Sequence, residues 1–89
     1  MTARLNHELK IWPEYFEPLA RGDKRFDIRF GDRDFRVGDT VYFREWDPER
    51  RGYTGRGMGG LRISYILRGP VFGLGFGWVI LGFNQLGGT

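Results

Sequence analysis

Lys24, Asp27 and Arg29 lie within six residues of one another and are the first groups in this 89-residue chain with the means to do chemistry. Arg25, Asp27 and Arg29 alternate with Phe26, Ile28 and Phe30, and alternate side chains of a strand share a face. Two guanidinium groups therefore flank a carboxylate. Such a row has two readings. In one it is a surface ion-pair row contributing about 0–1 kcal/mol. In the other, Lys24 and Arg29 present donors to a phosphate or a base edge while Asp27 orients them. Trp12, Tyr15, Trp46 and Tyr65 sit beside polar or loop positions, and a base can stack on such a ring for about 1–3 kcal/mol.

Other chemistries find little support. His7 is the one imidazole and there is no cysteine, so no set of soft ligands for a metal is present. Asp32 and Asp34 fall in a turn, where Asp bonds its own backbone. Ser64 and Thr54 have no nearby His to act as a base. The glycine runs 55–60 and 73–77 lack the strand-then-helix setting that lets a loop cradle phosphate. No metal and no cofactor are expected.

The elements that must position these groups follow from periodicity. A short strand over His7 to Ile11 stops at Trp12-Pro13, where proline suits the first turn of a helix. Tyr15, Phe16, Leu19 and Ala20 define one helical face, Gly22 is placed to end the helix in a left-handed conformation, and Pro18 shortens or bends it. From Lys24 the period changes to two, with Phe26, Ile28 and Phe30 on the buried face and the charged residues on the wet one. A turn through Arg33 and Asp34 leads to Phe35, and Val37-Gly38-Asp39 turns into a strand from Thr40 to Trp46. Residues 47–60 read as loop or hairpin. Leu61, Ile63, Tyr65 and Leu67 then share one strand face. After the glycine-rich connection 71–77, residues 78–83 form a nearly continuous apolar run, the mark of a buried strand. The tail 84–89 is expected to fray. The core is expected to hold Phe26, Ile28, Phe30, Val41, Phe43, Ile63, Val79 and Leu81, with Trp78.

Five to six short strands and one or two short helices give an α+β, mainly β class: a small curled sheet or barrel. A chain of this length supplies one core, so residues 1–89 are expected to form a single domain. There is no apolar signal segment over 1–10 and no long apolar run, so no membrane span is expected and a cytoplasmic location is the default. Charge is uneven. Residues 1–49 carry nine Lys/Arg against eleven Asp/Glu, whereas residues 50–89 carry five Arg and no acid. A basic segment of this kind suits a polyanion partner or is a solvated face.

Taken in order, Trp12-Pro13, the run Gly22-Asp23-Lys24-Arg25-Phe26-Asp27-Ile28-Arg29 and the Val37-Gly38-Asp39 turn resemble an ASCH domain of the PUA-like superfamily, small β-barrels associated with RNA. The 22–29 run is similar to that family's G-x-K-x-x-E-x-R pattern. Asp32 to Phe35, Arg44 to Pro48 and Tyr53 to Arg56 look closest to an uncharacterised small bacterial and phage branch. The resemblance covers roughly residues 7–83. It implies a PUA-like barrel with a cleft between the helix and the 24–29 strand, and a nucleic-acid-binding module, RNA first. Lys10, Trp12, Lys24, Asp27, Arg29, Trp46, Arg56 and Arg62 are the expected binding residues. The same resemblance implies a rival, a hydrolase acting on modified nucleosides or RNA. In the amidohydrolase relatives a Lys is followed three residues on by Thr and later by Glu. Here Asp27 takes the Thr place and no acid lies beyond Glu49, so Lys24, Asp27 and Glu45 are the set such an enzyme would use. A module that binds a protein partner is the third class.

Overall fold

The computed structural model describes residues 5–31 and 33–85. Five strands form one curled half-barrel sheet, in the order β1-β3-β4-β5-β2. They are β1 (Asn6–Ile11), β2 (Phe26–Phe30), β3 (Thr40–Asp47), β4 (Gly52–Arg68) and β5 (Trp78–Gln85), with one helix, α1 (Pro13–Arg21), between β1 and β2. β1 runs parallel to β3, and the other neighbours are antiparallel. This is the expected class. Asp32 and the tail beyond Gln85 lie outside the described residues; Asn84 and Gln85 are the end of β5.

α1 starts and stops where its sequence says. Trp12 is extended, Pro13 occupies the first turn, and Gly22 takes a left-handed conformation while its N–H donates to the Leu19 carbonyl. Phe16 and Leu19 point into the core, whereas Tyr15 and Ala20, read from periodicity as part of the same face, are exposed. The core is filled by Leu9, Ile11, Phe35, Val41, Phe43, Ile63, Val79, Leu81 and Phe83, together with the two helix residues. Under this core lies a buried polar knot. The Asp39 carboxylate meets His7 Nε2 at 2.7 Å and accepts the backbone N–H groups of Leu5 and Arg36 at 3.1 and 3.0 Å. Burial alone would raise the Asp39 carboxyl pKa, but the His7 bond and the two amides outweigh it and hold the group below its ordinary value.

Three sequence expectations are corrected. First, β2 is a strand, but its faces are reversed: Asp27 is buried while Phe26, Ile28, Phe30 and the neighbouring Trp78 are about half exposed. Asp27 and Arg29 stand opposite Leu81 and Val79 of β5, and directly opposed residues share a sheet face, so the polar side of β2 faces the interior. Second, the stretch 47–60, read as loop or hairpin, is the hairpin between β3 and β4 and is mostly strand, so that only the loop reading is corrected. The turn is confined to residues 48–51, where Asp47 Oδ1 accepts the Glu49 and Arg50 amides, and β4 then continues for 17 residues. Gly57 and Gly59 admit the Tyr42 side chain from β3. A Cβ on Gly57 would lie 2.6 Å from Tyr42 Oη and 2.9 Å from the Phe43 carbonyl. Gly57→Ala is therefore expected to lower stability by about 1–3 kcal/mol through overpacking, read as a lower urea midpoint with unchanged slope. Third, a register shift between Ile63 and Tyr65 breaks the alternation expected over 61–67. Tyr65 turns outward, and Ile66 packs against the core in its place.

Candidate functional site

The half-barrel leaves β1 and β2 as its two end strands, and a cleft of about 700 Å³ opens where they approach each other. That is within the usual range for small-ligand sites. Lys10, Ile11 and the start of α1 form one wall, with Trp12 and Tyr15 projecting from it; Lys24, Asp27 and Arg29 form the other. The cleft also reaches round the edge of β2 to Phe26, Ile28 and Trp78.

Asp27 organises the charged wall. Arg29 Nε donates to its Oδ2 at 2.7 Å and Lys24 Nζ to its Oδ1 at 3.2 Å. Each cation also holds a main-chain acceptor: Lys24 Nζ donates to the Phe26 carbonyl at 2.7 Å, and Arg29 Nη2 donates to the Lys10 carbonyl across the gap to β1. Those carbonyls lie on the outer edges of the sheet. Phe83 N–H bonds Arg25 O and Gly31 N–H bonds Gly77 O, so the odd-numbered groups of β2 face β5 and the even-numbered ones face away. Thr40 N–H bonds Leu5 O, which by the same logic turns the even-numbered groups of β1 outward.

On the other wall the Trp12 and Tyr15 rings are nearly parallel, 23° apart with centroids separated by 6.4 Å. Both rings are about half exposed. The site thus joins open aromatic faces to a set of cations fixed on a buried carboxylate, an arrangement that can stack a planar ring and donate hydrogen bonds to an anionic or carbonyl group beside it.

Five of the expected residues, Lys10, Trp12, Lys24, Asp27 and Arg29, meet at this cleft. The others are elsewhere. Trp46 packs edge-on against Tyr53, with Lys10 Nζ 3.9 Å from the Trp46 ring centroid. Arg62 lies on β4, opposite Thr40 and Asn84. Glu45 is buried in a separate cluster, where it accepts Thr54 Oγ1 at 2.7 Å and lies 3.7 Å from Arg56 Nη1. Arg56 in turn bonds Glu17 at 2.5 Å and covers the Phe16 ring, tying β4 to α1. The Arg56 hydrogen bond and charge hold the Glu17 carboxyl below its ordinary pKa. Glu45 is not among the residues that line the cleft, so Lys24 and Asp27 stand together there without it. Ile11, Phe26, Ile28 and Trp78 line the cleft without having been expected to; Phe26 and Ile28 read as core from their alternation and Trp78 from the apolar run 78–83, and no local signal distinguishes them.

Among the described residues no cluster of three His, Asp or Glu is placed to hold a metal ion, and no helix is long and apolar enough to cross a membrane. The family model of a domain of unknown function, DUF3850, matches residues 6–83. A protein of Escherichia phage P2, named for its mass and position as the uncharacterized 12.9 kDa protein in the GpA 3' region, is 40% identical over 46 residues. That match covers 52% of this chain and 41% of the phage protein, so the chain spans well under half the length of the curated relative it matches.

Proposed function

The chain belongs to the DUF3850 family, and from that premise we propose that it is an ASCH-type, PUA-like module that binds nucleic acid, RNA first, through the cleft between α1 and β2. One observation carries the reading: half-exposed, nearly parallel Trp12 and Tyr15 face the Lys24 and Arg29 donors within one cleft of about 700 Å³. An unpaired base stacks on the aromatic wall while the cations meet the adjoining phosphate or a base carbonyl, and Lys10, Arg56 and Arg62 neutralise neighbouring phosphates. Residues 1–89 act as one domain in the cytoplasm, with no cofactor.

Trp12→Ala tests this directly. Trp12 is half exposed, so its removal is expected to leave the melting temperature nearly unchanged. Loss of one stacked base, worth about 1–3 kcal/mol, should weaken binding of a single-stranded RNA about 5- to 150-fold. Log affinity of the parent chain should fall linearly with log salt at about −0.7 per neutralised phosphate. Unchanged affinity in Trp12→Ala, or a slope near zero, removes the proposal. Turnover of a nucleoside or RNA by the parent chain, lost in Lys24→Ala with binding kept, would move the reading to the hydrolase.

A further inference from the structure

The face of the sheet opposite the core is apolar where a solvated face should be polar. Directly opposed residues define three rows across β2, β5 and β4: Phe26, Gly82 and Tyr65; Ile28, Ile80 and Leu67; Phe30 and Trp78. None of these side chains carries a charge. Phe26, Ile28, Phe30, Tyr65 and Trp78 are between 42% and 65% exposed. The β4–β5 connection adds Phe72 and Phe76, 95% and 85% exposed. It runs beside the third row, since a Cβ on Gly75 would touch the Trp78 ring and one on Gly77 the Phe30 ring.

Large side chains of this kind bury roughly 150–250 Å² each, so five half-exposed ones and the two loop phenylalanines present roughly 800 Å² of apolar surface. The largest patch on a monomer is about 300–600 Å², whereas one partner of a stable complex contributes about 800 Å². The rows are also self-complementary. A twofold axis lying between the two sheets, parallel to them and directed along the middle row across the strands, places Trp78 of one chain over Gly82 of the other, where the missing side chain leaves a hollow between Phe26 and Tyr65. The same axis stacks aliphatic row on aliphatic row. We infer that this face is the contact between two copies of the chain, which pack sheet on sheet about a twofold axis as an isologous dimer. The rows carry no cation, and although Phe26, Ile28 and Trp78 also border the β2 side of the cleft, the inference does not depend on what the cleft binds.

Sedimentation equilibrium of the full chain from 1 to 100 µM should give a mass rising to twice the 10.4 kDa of one chain. Two variants should weaken that association at least tenfold while keeping the far-ultraviolet circular dichroism of the parent. Ile28→Asp puts a charge on a half-exposed site in the middle row. Gly82→Leu fills the hollow, where a Cβ meets its nearest neighbour, Tyr65 O, at an ordinary 3.6 Å. A parent chain that stays monomeric at 100 µM overturns the inference, as does association unchanged in both variants. If the parent is monomeric, the dimer is wrong, and weaker oligonucleotide binding by Gly82→Leu, a position outside the cleft lining, would make the face a stacking platform for bases instead.

Discussion

Asp39→Ala is expected to lower folding stability by about 3–5 kcal/mol, which for a domain of this size is a fall in melting temperature of at least about 12 °C. The carboxylate ties two groups distant in sequence, His7 on β1 and the Leu5 amide that leads into β1, to the Arg36 amide in the approach to β3. Asp39 and His7 are both buried, so truncation leaves a buried imidazole and two part-buried backbone donors without their partner. The effect also has a sign in pH. The Asp39 carboxyl is held below its ordinary pKa in the folded chain, so its stabilisation is fully present above the unfolded value, near 3.9, and disappears as pH falls through the folded value. The stability gap between the parent and Asp39→Asn should therefore be widest above about pH 5 and close in stronger acid. A gap that stays constant from pH 6 to pH 2.5 in urea titrations would show that the charge on Asp39 is immaterial.

Asp27→Ala should come next, at about 2–4 kcal/mol, because it strands two cations at once. Lys24 and Arg29 are mostly buried and both point at this carboxylate, and removing one member of such a set leaves charge without compensation. For the cleft the expectation runs against simple charge counting. The variant gains one net positive charge, yet it should bind RNA more weakly, since the donors lose the group that orients them. If Asp27→Ala binds more tightly at every salt concentration, the carboxylate only neutralises its neighbours and the orienting role is wrong.

Much of the fold was legible because its punctuation is local. Pro13 and Gly22 bound α1, Val37-Gly38-Asp39 turns into β3, and alternation marks β2. What alternation does not carry is phase. Phe26, Ile28 and Phe30 read as the inner face of β2 because apolar residues usually are, but β2 ends the sheet beside a cleft, and there its polar face turns inward to Leu81 and Val79. The glycines of 55–60 read as loop by composition. At Gly57 and Gly59 the reason is a contact from another strand, the Tyr42 ring, which no local pattern announces. For the site, Lys24, Asp27 and Arg29 were legible as a group since one short strand carries them. Trp12 was legible from its place before the helix. Arg56, Trp46 and Glu45 went elsewhere because their partners, Glu17, Tyr53 and Thr54, are set by tertiary packing.

The bonds from Lys24 to the Phe26 carbonyl and from Arg29 to the Lys10 carbonyl set a condition on any ligand of the cleft. Both acceptors sit on open sheet edges, and each depends on a cation that a ligand would recruit. An anion that drew the two side chains away while covering these otherwise exposed oxygens would shut them off from both donor and water, and part of its attraction would be cancelled. Tight binding is therefore an exchange of partners. The molecule that fits best carries acceptors for Lys24 and Arg29 on one side and N–H groups for the vacated carbonyls on another, which an amino-bearing heterocycle provides and a bare phosphate does not.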